Sequence, residues 1–77
     1  MPMEQEELIN ATEDGIKRAL AERAGMVASL DYICGRLEVD DGDRLFSVAL
    51  QELERIGSIR QTHRGNFRLV QPNLLAT

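Results

Sequence analysis

At 77 residues the chain is long enough for one small domain, and at that size nearly every long apolar residue is needed for the core. With 43% hydrophobic and 29% charged residues it reads as a soluble globular domain and not a disordered chain. Its three aromatic residues, Tyr32, Phe46 and Phe67, are too few for a platform that stacks single-stranded nucleic acid. The formal net charge of −4 is unevenly spread: all thirteen acids fall in residues 1–57 beside six Lys and Arg, whereas residues 58–77 carry Arg60, Arg64 and Arg68 and no acid.

No apolar run approaches the roughly 20 residues that span a bilayer. The opening MPMEQEELI is acidic and has no apolar core, so no secretory signal is read there. The single cysteine, Cys34, cannot form an internal disulfide. Together these features lead to an expected cytoplasmic location.

Residues 1–11 are acidic, with Pro2 and Met3 expected to fray. Glu4, Glu6 and Glu7 suit the positive end of a helix dipole. An apolar stripe runs Leu8, Ile9, Thr12, Ile16, Ala19, Leu20 and Ala24, interrupted by Gly15. It fits either one helix from about Glu4 to Ala24 or an arm followed by a helix capped at Thr12. Helix through most of the stretch is preferred, with 16–24 its clearest part. Glu13 with Lys17 and Asp14 with Arg18 are spaced as ion pairs of about 0.2–0.5 kcal/mol each. Gly25 is the expected stop. Met26 to Ala28 should be extended, and Ser29 is a good N-cap for a second helix through Leu37. Leu30, Ile33, Cys34 and Leu37 share its inner face, which makes Cys34 a small core residue rather than a reactive thiol. Residues 38–42 form an acidic turn, after which Asp41 or Asp43 should cap the third helix.

The third helix, 43–57, is the most strongly patterned. Leu45, Phe46, Ala49, Leu50, Leu53 and Ile56 define an apolar face, and Gly57 stands at the usual left-handed stop. Ile59 then opens a strand, His63 to Asn66 turns, and Phe67 and Leu69 point inward while Arg68 and Val70 point out. Pro72 ends the strand. Leu74 and Leu75 belong to a short tail.

The order helix, short strand, helix, helix, hairpin predicts an α+β, mainly helical fold: a winged helix of three helices with a C-terminal β-hairpin wing. Two segments resemble bacterial and archaeal winged helix-turn-helix regulators. Ala19-Leu20-Ala21-Glu22 and Arg36-Leu37-Glu38-Val39 match the first helix and the end of the second, and residues 48–59, VALQELERIGSI, match the end of the recognition helix and the start of the wing. Residues 15–71 would form the domain, 1–14 an acidic arm or helix extension, and 72–77 a tail. The resemblance implies a recognition helix in the DNA major groove and a wing on the backbone or minor groove. By position it assigns Arg44, Ser47, Val48 and Gln51 to the groove, and Arg60, His63, Arg64 and Arg68 to the wing. Arg bridges guanine acceptors, Gln pairs with adenine, and wing arginines neutralise phosphates.

The expected function is therefore a small DNA-binding regulator of transcription or replication, dimeric because a lone acidic domain binds DNA weakly. Leu8, Ile9 and Thr12 are the candidate dimer interface. A second expectation is an acidic winged helix that binds a protein as an adaptor or subunit. Asp40, Asp41 and Asp43 beside the recognition helix and the apolar Val48 favour it, with Val48, the Leu74-Leu75 tail and, if it is not fully buried, Phe46 as contacts. No cofactor or metal is expected: His63 lacks neighbouring ligands, and the acidic run lacks the twelve-residue calcium layout. No enzyme is expected either, because neither a phosphate-cradling loop nor a nucleophile with an evident base is present.

Overall fold

The computed structural model describes residues 2–62 and 65–70, with side chains from residue 6 onward. Three helices, α1 (Pro2–Ala21), α2 (Leu30–Leu37) and α3 (Arg44–Arg55), combine with three strands, β1 (Val27–Ser29), β2 (Ile59–Gln61) and β3 (Asn66–Leu69). The strands form one antiparallel sheet in the order β1-β3-β2. The fold is thus α+β and mostly helical, compatible with a winged-helix-like arrangement.

α1 is one continuous helix, about 30 Å long at 1.5 Å per residue. Pro2 and Met3, expected to fray, are helical; proline suits a first helical position because its missing N–H has no acceptor there anyway. Gly15 does not break the helix. A Cβ at Gly15 would lie 3.3 Å from Leu37 Cδ2, so the glycine lets α2 settle closely on α1. The helix ends at Ala21, short of the expected stop, and Ala24 is exposed rather than part of the stripe. A single tight turn, Ala24–Met26, with Gly25 at φ 74°, then leads into β1.

Ser29 caps α2 as expected, its hydroxyl accepting from the Tyr32 N–H at 3.1 Å. At the other end Glu38 adopts the left-handed conformation, φ 58° and ψ 45°. Its N–H donates to the Gly35 carbonyl and that of Val39 to the Cys34 carbonyl, the paired bonds that close a helix at a left-handed residue. The Asp43 carboxylate caps α3 by accepting from the Phe46 N–H at 3.0 Å. Gly57, φ 85°, ends α3 with the same bond pair: Gly57 N–H to Glu54 O and Ser58 N–H to Leu53 O.

The core joins every element. Ile16 and Leu20 of α1, Ile33 and Cys34 of α2, and Phe46, Ala49 and Leu53 of α3 meet Ala28, Ile59 and Phe67 of the sheet. Cys34 is buried, and burial pushes its thiol up. One expectation for α3 is corrected. Ile56 does not complete the apolar face: it is 56% exposed, because the helix closes at Arg55 and the chain turns at Gly57. Phe46 is 1% exposed and belongs to the core, as its place on the apolar face implies, so the condition for its being a partner contact is not met.

Glu38 holds a conformation that costs an L-residue about 1–2 kcal/mol and glycine little. After the greater unfolded-state freedom of glycine is subtracted, Glu38→Gly is expected to stabilise the fold by about 0.5–1 kcal/mol, a rise of about 4 °C in the unfolding midpoint. Thermal denaturation followed by circular dichroism checks this; an unchanged or lower midpoint would contradict it.

Candidate nucleic-acid interface

With Phe46, Ala49 and Leu53 turned inward, α3 presents Arg44, Ser47, Val48 and Gln51 on one outer side. Arg44 and Gln51 are exposed, Ser47 is half-buried and Val48 is 41% exposed. The acidic turn before α3 leaves Asp40, Asp41 and Asp43 exposed, and Asp43 is also committed to the cap. At the far end Arg55 is held by Glu52 through two hydrogen bonds, which lower the Glu52 carboxyl and raise the guanidinium.

The sheet has an inner face of Ala28, Ile59, Phe67 and Leu69. On its outer face the register sets Arg60 of β2 directly opposite Arg68 of β3, and Arg68 in turn opposite Val27 of β1. Both arginines are exposed, and neither has an ion-pair partner among the described residues. They line a shallow groove of about 360 Å³ with Met26, Leu69 and Val70. Like charges directly opposite across strands oppose folding, so this pair is not explained by stability. The hairpin closes with the Thr62 N–H donating to the Asn66 carbonyl at 2.7 Å, the Gly65 N–H donating to the Thr62 carbonyl at 3.1 Å, and Gly65 at φ 82°. His63 and Arg64 lie outside the described residues.

The candidate residues thus fall into two groups, one on α3 and one on the outer sheet face. No hydrogen bond or ion pair joins them among the described residues. Of the proposed dimer residues, Leu8 is 53% exposed, and Ile9 is half-buried against the core. Thr12 is also half-buried, its hydroxyl donating to the Leu8 carbonyl at 2.8 Å.

One charged cluster was not foreseen. The Glu22 carboxylate accepts from Nε and Nη2 of Arg36 and from the Tyr32 hydroxyl, while Arg23 lies 4.5 Å from the Tyr32 ring centre. Residues 19–22 and 36–39, two of the stretches that carry the sequence resemblance, meet in this contact. It ties the end of α1 to α2 and so serves the fold. The anticipated pairs Glu13–Lys17 and Asp14–Arg18 do not close as salt bridges among the described residues. Burial, with the nearby Glu52 carboxylate, raises the Glu13 carboxyl.

Among the described residues no group of three side chains could hold a metal ion, and no helix is long and apolar enough to cross a membrane. No family model, curated protein or solved structure matches the chain significantly.

Hydrogen bonds from Arg36 and then Tyr32 hold the Glu22 carboxyl below its ordinary value. The stability it contributes is therefore full above the unfolded carboxyl pKa of about 4.3 and lost as pH falls through the lower folded value. Glu22→Gln should lower the unfolding midpoint at neutral pH and shrink the difference from wild type in acid. A difference that stays constant from neutral pH into acid would contradict this contact.

Proposed function

We propose that the chain is a small winged-helix DNA-binding protein. In this reading α3 faces the major groove with Arg44, Ser47, Val48 and Gln51, and the hairpin steadies the complex through backbone phosphates. The Arg60–Arg68 pair carries the proposal: two guanidiniums face each other across adjacent strands, exposed and without a carboxylate partner among the described residues. An anionic backbone compensates both charges at once, which repays the repulsion that their register imposes. The charge map agrees with it, since the last twenty residues hold three arginines and no acid. Arg44 and Gln51 have the chemistry to read guanine and adenine edges. The biological role proposed with this binding mode is regulation of transcription or replication.

A second reading is a protein-binding winged helix. Val48 and Ile56 supply it with exposed apolar surface, at 41% and 56%, and Asp40, Asp41 and Asp43 crowd the start of α3 with negative charge. A binder of this kind would take a partner with apolar and basic side chains.

Titration of a labelled random-sequence duplex at a series of salt concentrations separates the two. DNA binding predicts association that weakens steeply with salt, and loss of about two units from the log–log salt slope in the Arg60→Ala/Arg68→Ala double variant. Absence of binding at low salt, or a slope that the double variant leaves unchanged, would contradict phosphate contact by the sheet arginines.

A further inference from the structure

We propose that the groove between α1 and the α2–α3 junction docks a second copy of this chain. Its main part, about 410 Å³, is lined by Leu8, Ala11, Leu37, Val39 and Leu45, with Asp43 at its rim. Past Gly15 and Leu37, which line both parts, it continues into a further hollow of about 160 Å³ beside Arg18 and Arg36. The groove is therefore lined mainly by apolar residues, with one carboxylate in its larger part and two guanidiniums in its smaller part. Arg36 is engaged by Glu22, whereas Arg18 has no ion-pair partner among the described residues.

Arg18, the guanidinium in this groove without an ion-pair partner among the described residues, selects the occupant together with the acidic start of α1. A twofold interface brings each patch onto its own copy in the reverse direction. The acidic start of α1, with Glu7 one turn before Ala11 on the same side of the helix, then runs toward Arg18 of the second copy. An axis crossing α1 between Ala11 and Thr12 leaves Leu8 and Gly15 equidistant from it, so Leu8 of one copy meets the Gly15–Leu37 floor of the other. Leu8 is 53% exposed in the single chain, and this pairing removes it from water in both copies. The surface shares no residue with the outer side of α3 or the sheet arginines, so it stands independently of the DNA-binding reading.

Sedimentation velocity on the full chain from about 1 μM to 1 mM tests the proposal. The wild-type chain should dimerise reversibly. Leu8→Glu and Arg18→Gln should each weaken the dimer about tenfold or more, while far-UV circular dichroism, and the unfolding midpoint at concentrations where the wild-type chain is monomeric, change little, because both side chains are exposed in the single chain. Gln51→Ala, on the outer side of α3, should leave the dimer unchanged. A wild-type chain that stays monomeric across this range, or a dimer that either variant leaves intact, overturns the proposal.

Discussion

The structure depends on the packing of α3 against α1. Phe46, Ala49 and Leu53 are sealed with Ile16 and Leu20, all at 3% exposure or less. In a chain this small there is no second core to compensate for losing that contact. Once those three positions of α3 are turned inward, the helical period sends Arg44, Val48 and Gln51 outward without further specification. The sheet is fixed by the same core through Ala28, Ile59 and Phe67, so strand alternation turns Arg60 and Arg68 to the opposite face. The outward chemistry is thus a consequence of inward packing.

Charge is organised on top of this frame. The helical part is acidic and the hairpin end basic. The contacts that satisfy individual charges are local: Glu22 with Arg36 at the α1–α2 corner, Glu52 with Arg55 on the last turn of α3, and Asp43 on a helix N-terminus. Arg60 and Arg68 have no such contact among the described residues. Repulsion from the carboxylates of residues 40–43 disfavours an anion approaching the start of α3. In the proposed complex the DNA backbone would therefore lie toward the hairpin, with Arg44, Ser47, Val48 and Gln51 of α3 turned to the base edges.

Most of the fold was legible because its signals are local. Ser29, Asp43 and Gly57 act where their chemistry says they should, and the spacing of Phe46, Ala49 and Leu53 marks a buried helix face that the structure confirms. What escaped depends on tertiary context. Glu38 occupies a left-handed position that sequence rules reserve for glycine or asparagine, because Val39 beyond it must fold back onto the core. Gly15 looks like a helix breaker until Leu37 is seen packed against it. Ile56 has helical spacing but lies past the last turn. For the candidate interface, the outward direction of each arginine followed from alternation. Their direct opposition across strands did not, because register is set by long-range pairing. The Glu22–Arg36 contact was hidden for the same reason: its partners are fourteen residues apart, one in the turn after α1 and the other on α2.

An amide-resonance map of the isotopically labelled chain during titration with a short DNA duplex tests the central claim most directly, since it reports which surface is touched. If the chain binds DNA as proposed, the perturbed amides cluster on the outer side of α3, around Ser47 to Gln51, and on the sheet at Arg60 and Arg68. The groove residues Leu8, Ala11 and Leu37 stay unshifted. No perturbation at low salt, or perturbation confined to the groove, would contradict DNA binding through α3 and the hairpin.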